Sequence, residues 1–297
     1  MGVRWGASKC PVGARPSASG ASIGAEASRR PRREPAGARA PAARIDILAA
    51  QVRGAFRRLP TNMRPVAIFR FSPTETPGRF GEWLTAQSIP WTLIALDEGA
   101  AVPSSPAAYA GIGMMGGPMS VNDDLPWVAP LESLLRDAIS DGTPVIGHCL
   151  GGQLMAKALG ARVARMPKPE IGWLHVDVCD RGARREWFGG LPRFSTFQWH
   201  YDAFDLPPMA TRVLTNDFAV NQGFVIDDRH IGFQCHVEMT RELVETWCRT
   251  GAGELPARSS AHQQSAADLQ SDLDARLAAL GEVADGVYAR WSQGLKR

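Results

Sequence analysis

A cysteine at a sharp predicted bend is the first candidate for chemistry. Cys149 lies in the segment 147–151, Gly-His-Cys-Leu-Gly, between an apolar run at 143–146 and a helical pattern at 152–160. A strand that turns directly into a helix lifts the residue at the bend out of the backbone, and flanking glycines permit the steep dihedral angles. The turn predicts Cys149 at a helix N-terminus, where free N–H groups and the helix dipole stabilise a thiolate. A small buried cysteine without chemistry is the alternative that this turn alone leaves open.

A histidine and a glutamate two residues apart are the second candidate group. His236 and Glu238 fall at the end of an extended run predicted over 231–237. Residues two apart on a strand share a face, so the two side chains project together. A carboxylate beside an imidazole fixes its tautomer and stabilises the imidazolium that forms when the ring takes a proton. A lone histidine near a strand end is usually structural, but this pair together with Cys149 indicates a nucleophile, a base and an orienting carboxylate.

A glycine-rich bend at 116–118, Gly-Gly-Pro, is the third candidate group. Such a bend at the end of a strand exposes backbone N–H groups that can stabilise a developing oxyanion. The N–H of Gly117 is one donor, and the N–H of Leu150, directly after the predicted nucleophile, is the second. By itself the bend favours a plain turn.

Alternating strands and helices position these groups. The apolar runs predict strands, and the periodic stretches between them predict helices. This alternation indicates a parallel sheet with right-handed crossovers, covered on both faces. Ligands bind beyond the carboxyl ends of strands in such sheets, where both Gly117 and Cys149 fall. The predicted strands are 65–71, 91–96, 109–115 and 143–146, and the predicted helices are 81–87, 130–140 and 152–160.

The pattern changes after residue 173 to shorter extended runs, which predict antiparallel or mixed strands that extend the sheet. A helix is predicted at 240–250 and a polar connector at 251–264. Apolar residues from Leu269 to Trp291 recur with a spacing near that of a helix, which favours one or two C-terminal helices packed on the domain over a partner-docking helix. The predicted extended runs are 173–178, 195–199, 212–215, 224–227 and 231–237.

Composition divides the chain into three predicted segments: an N-terminal extension (1–62), an α/β domain (63–250) and a C-terminal helical extension (251–297). Residues 1–62 hold 12 Lys and Arg against 3 Asp and Glu, and the remainder holds 21 against 27. The extension is too poor in apolar periodicity to form a core, which predicts disorder. The extension is interpreted as sequence upstream of a translation start at Met63. A transit peptide and a basic arm are the alternatives. The mildly acidic remainder gives no support for nucleic-acid binding.

Cysteine usage and hydropathy indicate a cytoplasmic protein. The five cysteines are an odd number, widely spaced and without a C-x-x-C pair. This argues against a disulfide framework or a zinc site and fits a reducing compartment. No apolar run approaches the roughly 18 residues of a membrane-spanning helix.

The order of the three groups resembles one enzyme family. Gly-Gly-Pro-Met-Ser-Val at 116–121, Gly-x-Cys-x-Gly-x-Gln at 147–153 and His-x-Glu at 236–238 resemble the class I (triad-type) glutamine amidotransferases. With smaller matches at 170–173, 199–202 and 221–224 and the predicted C-terminal helices, the chain is most similar to the stand-alone, GMP-synthase-like branch. The resemblance implies a flavodoxin-like α/β fold, an open, mostly parallel sheet flanked by helices, with a C-terminal helical extension.

The resemblance also implies roles for single residues. Cys149 would be the nucleophile, His236 the general base and Glu238 its orienter. The backbone amides of Gly117 and Leu150 would form the oxyanion hole. The implied reaction is attack of the thiolate on a γ-carboxamide, release of ammonia or an amine, and hydrolysis of the γ-glutamyl thioester. No metal and no cofactor are implied.

Four further residues would hold the amino-acid part of the substrate: Gln153, His200, Tyr201 and Asp202. The chain departs from the family at two positions. Gly152 stands where many relatives have His, and Tyr201 stands where many have Gly. We expect the first change to leave the triad intact and the second to reshape the substrate pocket.

Two alternatives remain beside a glutamine amidotransferase. One is a γ-glutamyl peptide or polyamine hydrolase with the same triad, and the other is a catalytically quiet regulatory binding module. A phosphate-binding G-x-x-x-x-G-K-[ST] motif and a domain able to activate an ammonia acceptor are not found in the sequence. Any synthetase step is therefore expected to need a separate protein chain, and neither nucleic acid nor a membrane is an expected partner.

Overall fold

Nine strands form one sheet in the part of the chain that the computed structural model describes, residues 63–296. The sheet order is β2-β1-β3-β4-β9-β8-β7-β5-β6. The predictions for residues 1–62 lie outside the described residues. The strands are β1 (Val66–Arg70), β2 (Trp91–Ala95), β3 (Gly111–Met114), β4 (Val145–His148), β5 (Val163–Val178), β6 (Arg193–Phe204), β7 (Thr211–Thr215), β8 (Gly223–Ile226) and β9 (His230–Phe233).

The first five strands of that order are parallel. β1 pairs with β2 and β3, β3 pairs with β4, and β4 pairs with β9. Every residue of β3, β4 and β9 is buried, as expected for central strands covered on both faces. The predicted α/β fold, with helices flanking an open sheet, is confirmed.

The other four strands extend the sheet in antiparallel pairs. β5 and β6 are much longer than the predicted runs 173–178 and 195–199. The first part of β5 lacks an apolar pattern because it carries charged residues and two prolines. The register shifts between Arg165 and Glu170, and such an irregularity accommodates Pro167 and Pro169.

The helices lie on both faces of the sheet. One core contains side chains of α1, α5 and α7, and a second core contains those of α2 and α3. Among residues 63–296, no helix is long and apolar enough to cross a bilayer. The helices are α1 (Gly78–Ala86), α2 (Val128–Ser140), α3 (Leu150–Ala158), α4 (Arg181–Glu186), α5 (Arg241–Thr250), α6 (Ala266–Gln270) and α7 (Leu273–Ser292).

The C-terminal helices pack into the same core as the sheet. Tyr288 and Trp291 of α7 are at most 1% exposed, and the Trp291 ring meets Phe80 edge-on at 5.5 Å. The connector before α6 joins the sheet, because Ile171 of β5 exchanges backbone hydrogen bonds with His262 and Gln264. The apolar stripe of α7 therefore faces the core.

Candidate active site

Cys149 lies at the turn between β4 and α3 in a backbone conformation that few non-glycine residues adopt. Its dihedral angles are φ 48° and ψ −104°, and such strain costs on the order of 1–3 kcal/mol. The flanking glycines lie against neighbouring backbone: a Cβ atom on Gly151 would stand 2.7 Å from the carbonyl oxygen of Met114. The turn therefore requires glycine beside the cysteine and holds Cys149 at the carboxyl end of β4.

His236 and Glu238 lie side by side, but they do not lie on a strand. β9 ends at Phe233, because the chain then crosses to β6, where the N–H of His236 donates to the carbonyl of Phe197 at 2.8 Å. The predicted strand over 231–237 is therefore wrong after Phe233. The pairing itself is present: His236 Nδ1 lies 2.6 Å from Glu238 Oε1, and both side chains are 2% exposed.

The histidine and glutamate are arranged for proton transfer. Burial opposes ionisation of Glu238, but the nearby His236 and His148 and the hydrogen bond from His236 outweigh it, so the pKa of Glu238 is lowered. A buried carboxylate at Nδ1 favours the tautomer with the proton on Nδ1. Nε2 of His236 has no hydrogen-bond partner among residues 63–296, so this nitrogen can accept a proton.

Cys149 and His236 line one cavity of about 690 Å³. The sulfur of Cys149 also receives a hydrogen bond from the Gln234 amide at 3.7 Å and donates to the carbonyl of Trp199 at 3.9 Å. The cavity thus brings together one residue from each of the three predicted groups: Cys149, His236 and Gly117. Its wall includes the predicted oxyanion residue Gly117 and the predicted substrate residues Gln153, His200, Tyr201 and Asp202.

The thiol is not poised as a free thiolate. Burial, followed by the carboxyls of Glu75 and Glu238, raises the pKa of Cys149 well above its ordinary value, while the N–H of Leu150 acts in the opposite direction. One amide at the start of α3 does not offset the loss of water around the sulfur. The predicted stabilisation of a thiolate by the helix N-terminus alone is therefore wrong.

The two predicted oxyanion residues adjoin each other. The N–H of Gly117 has no hydrogen-bond acceptor within residues 63–296, and the N–H of Leu150 is directed at the Cys149 sulfur. A Cβ atom on Gly117 would stand 2.6 Å from Leu150 Cδ2, so the side chain of Leu150 packs directly on this glycine. A side chain at position 117 would displace the ends of the Leu150 and Met119 side chains, and Gly117 lines the same cavity as Cys149.

Three of the predicted substrate residues are tied into a buried polar network. Gln153 Nε2 donates to the Asp202 carbonyl at 3.1 Å, and His200 Nδ1 lies 2.9 Å from the same oxygen. The other ring nitrogen of His200 lies 3.0 Å from Glu170 Oε2, which is fully buried. Asp202 Oδ2 accepts from the Ser120 hydroxyl at 2.9 Å. Both nitrogens of His200 thus face protein atoms, so its side chain positions residues 200–202.

Tyr201 forms part of the cavity mouth. Its hydroxyl donates to Glu254 Oε2 at 2.7 Å, and Trp199 Nε1 donates to the same oxygen at 3.0 Å. Arg165 stacks on the Tyr201 ring at 4.3 Å. Burial, with the hydrogen bond to Glu254, raises the pKa of Tyr201 to about 12. The tyrosine therefore stays neutral and ties β6 to the connector that follows α5.

Sequence reasoning missed several residues of the cavity wall: Glu75, Arg165 and Glu254. Glu75 follows β1, whose carboxyl end lies at the same edge of the sheet as those of β3 and β4. Its position just after a parallel strand could therefore have indicated that it lies near the site. Arg165 and Glu254 lie in segments without a chemical motif, and nothing in the sequence pattern indicates them. No group of three His, Cys, Asp or Glu side chains suited to a metal ion occurs in the described part of the chain.

Comparisons with known proteins find similar folds and sequences. A glutamine amidotransferase from Methylobacillus flagellatus is 44% identical in a structural match that covers 80% of this chain and 97% of that one, with a TM-score of 0.77. A glutamine amidotransferase from Thermotoga maritima is 26% identical, covering 78% of this chain and 99% of that one, with a TM-score of 0.70.

Among curated relatives, a GMP synthase from Aeropyrum pernix is 35% identical over 145 residues, which are 46% of this chain but only 27% of that protein. The glutamine amidotransferase-like protein YfeJ from Salmonella typhimurium is 29% identical over 180 residues, covering 58% of this chain and 74% of that one. The family model described as glutamine amidotransferase class-I matches residues 87–246. This chain is therefore a member of the class I glutamine amidotransferase family.

Proposed function

We propose that this chain is a cysteine-dependent amidohydrolase that cleaves the γ-carboxamide of glutamine. The observation that carries the proposal is the shared cavity of Cys149 and His236, with Cys149 on a strained turn and His236 paired to Glu238 at 2.6 Å. In this proposal Cys149 is the nucleophile, His236 the general base and Glu238 the residue that orients it.

The reaction starts from a neutral thiol. Because the pKa of Cys149 is raised, the proton leaves the sulfur as the attack begins and passes to Nε2 of His236. The carboxylate of Glu238 then stabilises the imidazolium through Nδ1. His236 returns the proton to the departing nitrogen, which leaves as ammonia. A water molecule, deprotonated by His236, then hydrolyses the γ-glutamyl thioester.

The tetrahedral intermediates carry negative charge on the former carbonyl oxygen. The backbone N–H groups of Gly117 and Leu150 are proposed to donate to this oxygen. Gly117 has no competing acceptor among the described residues, so its amide need not break another hydrogen bond first. Loss of one oxyanion donor typically costs about 10²–10³-fold in kcat.

The amino-acid part of the substrate is proposed to lie between Gln153 and residues 200–202. Gln153 and Asp202 line the cavity, and Arg165, which stacks on Tyr201 and lies 3.8 Å from Asp202 Oδ1, is the cation proposed to bind the substrate carboxylate. His200 acts indirectly, by holding the Asp202 carbonyl in place.

A second candidate is a hydrolase of larger γ-glutamyl amides with the same residues. The cavity volume of about 690 Å³ leaves room for such a substrate, because this lies near the middle of the roughly 300–1,000 Å³ range of small-molecule pockets. A relative from Sulfurisphaera tokodaii is named as one subunit of a glutamine-hydrolysing GMP synthase. We propose that an ammonia acceptor, where one is used, is likewise bound by a separate chain.

The test is release of glutamate and ammonia from glutamine by the wild type, by Cys149→Ser and by Cys179→Ser. Cys179 lies outside the cavity lining, so its variant is the matched control. We expect the wild type and the control to hydrolyse glutamine and Cys149→Ser to lose at least about 10³-fold of this activity. Parallel assays with γ-glutamyl amines decide between the two candidates. Inactivity of the wild type toward every γ-glutamyl amide would instead favour a regulatory binding module.

A further inference from the structure

Glu75 is a carboxyl in the cavity that the mechanism above does not use. It lies on the loop between β1 and α1, and this loop is held on both sides of it. Trp247 Nε1 donates to the carbonyl of Thr74 at 2.9 Å, and the N–H of Arg79 donates to the carbonyl of Glu238 at 2.9 Å. The position of Glu75 beside the His236–Glu238 pair is therefore defined by backbone contacts.

The carboxyl of Glu75 and the ring of His236 both lie close to Gly116. A Cβ atom on Gly116 would stand 2.8 Å from Glu75 Oε2 and 2.9 Å from Cε1 of His236. Cε1 is the ring carbon between Nδ1 and Nε2, and Nε2 is the nitrogen that would return a proton to the leaving group. Glu75 and the His236 ring therefore approach the same point at Gly116, in the cavity that also contains Cys149.

Glu75 also differs from the other carboxyls that line the cavity. Asp123 accepts from the Ser120 N–H at 2.9 Å, and Asp202 and Glu254 accept hydrogen bonds from side chains. The side chain of Glu75 has no hydrogen-bond partner within residues 63–296. A polar group without a protein partner in a reaction cavity is available to a ligand.

The charge state of Glu75 follows from its surroundings. The titratable groups that face it are Cys149, His236 and Glu238. Burial, with the nearby carboxylate of Glu238, raises the pKa of Glu75 to about 8. At neutral pH it is mostly a neutral acid, with a carbonyl oxygen that accepts and a hydroxyl that donates. An ionised Glu75 would oppose the negative charge that develops on sulfur and oxygen in the reaction.

We propose that the neutral carboxyl of Glu75 binds the leaving nitrogen of the scissile carboxamide and makes the enzyme selective for primary amides. This inference rests on the proposed function. The carbonyl oxygen of Glu75 accepts one N–H of the substrate and thereby turns the nitrogen lone pair toward His236 Nε2. Glu75 forms no covalent bond and transfers no net proton, since the proton taken by the leaving nitrogen comes from His236.

The proposed selectivity for primary amides follows from the number of N–H groups on the substrate's amide nitrogen. A primary carboxamide has two, whereas an N-alkylated γ-glutamyl amide has one and carries its substituent in place of the other. In the orientation that points the lone pair at His236, that substituent meets Glu75 and Gly116. Sites that hydrogen-bond a substrate N–H reject analogues that lack it because the site's polar group is left unpaired.

The experiment compares the wild type, Glu75→Ala and Glu75→Gln, with Glu82→Ala, an exposed glutamate on α1, as the control. The substrates are glutamine and γ-glutamyl-methylamide. We expect Glu75→Ala to lower kcat/KM for glutamine by about 10–100-fold, the range of one hydrogen bond in a desolvated site, and to raise kcat/KM for the methylamide or leave it unchanged, because the side chain that meets the methyl substituent is gone. Glu75→Gln, which keeps a neutral carbonyl acceptor, should recover most of the loss.

The pH profile is the second readout. Wild-type kcat/KM for glutamine should fall as the pH rises through about 8, when Glu75 ionises, and Glu75→Gln should lack this fall. The proposal is overturned if Glu75→Ala retains the preference for glutamine, if Glu75→Gln is as impaired as Glu75→Ala, or if the fall persists in Glu75→Gln. Persistent activity in Cys149→Ser would refute the proposed function instead, so the two failures are distinguishable. Far-UV circular dichroism and unfolding midpoints confirm that each variant is folded.

Discussion

Replacing Glu238 by glutamine tests the proposed proton path with the smallest change in shape. The carboxylate accepts from His236 Nδ1 at 2.6 Å, and both side chains are 2% exposed, so solvent does not screen the interaction. Glutamine removes the charge that stabilises the imidazolium. It also offers His236 an amide N–H, which favours the tautomer with the proton on Nε2, where it cannot accept from the thiol.

The magnitude follows from the two effects. A hydrogen bond to a charged group contributes about 1.5–3 kcal/mol, which corresponds to roughly 10–150-fold in rate. If His236 adopts the tautomer with the proton on Nε2, the loss in kcat rises toward about 10⁴-fold, as in serine proteases whose orienting aspartate is replaced by asparagine. We therefore expect Glu238→Gln to lower kcat for glutamine by about 10²–10⁴-fold, with a much smaller change in KM.

The assay is steady-state release of glutamate from glutamine, with unfolding curves recorded for each variant. Glu245→Gln on α5 is the matched control, because Glu245 is exposed and pairs with Arg241 at the surface. It should retain activity within about 2-fold, since exposed ion pairs contribute little. A kcat for Glu238→Gln within about 3-fold of the wild type, in a folded protein, would refute the assigned role of Glu238.

Three further changes test the turn, the cavity mouth and the C-terminal helix. Gly152→Ala should lower the free energy of unfolding in urea by about 1–3 kcal/mol, because a Cβ atom would overlap the backbone of Phe233. The control Gly253→Ala should leave it nearly unchanged, because a Cβ atom there meets nothing within 4 Å. Tyr201→Phe removes the hydroxyl that donates to Glu254, and it should raise KM for glutamine by about 2–10-fold with little change in kcat; an unchanged KM would show that this contact does not shape the pocket. Trp291→Ala on α7 should lower the free energy of unfolding by about 3–5 kcal/mol, because Trp291 is 1% exposed; a loss below about 1 kcal/mol would show that α7 is not part of the core.

Much of the fold follows from local patterns. The short apolar runs of β1, β3 and β4 and the stripe of α2 are strong signals because each element is buried on a defined face. The first part of β5 gives no such signal, since Arg165 and Lys168 leave it exposed and the register shift after Arg165 has no signature in single-residue propensities. The strand predicted through His236 fails for a related reason: the chain leaves β9 to bridge Phe197, which is a tertiary contact.

Some features of the candidate site can likewise be predicted from sequence motifs, and others depend on tertiary contacts. Cys149, His236 and Glu238 could be predicted as candidates from their motifs; in the structure Cys149 and His236 line one cavity, and His236 contacts Glu238. The raised pKa of Cys149 could not be predicted, because it depends on burial and on Glu75, which is distant in sequence. Glu254 lines the cavity and contacts Tyr201 and Trp199, and no local sequence pattern predicts that position.

The most direct test of the proposed chemistry is to identify the residue that carries the covalent intermediate. The protein is incubated with glutamine, quenched in acid and digested, and the peptides are analysed by mass spectrometry, with a chloroketone analogue of glutamine as an irreversible probe. We expect one γ-glutamyl adduct, on Cys149, and none in Cys149→Ser. Adducts on another cysteine, or glutamine hydrolysis that continues in Cys149→Ser without an adduct, would contradict the assignment of Cys149 as the nucleophile.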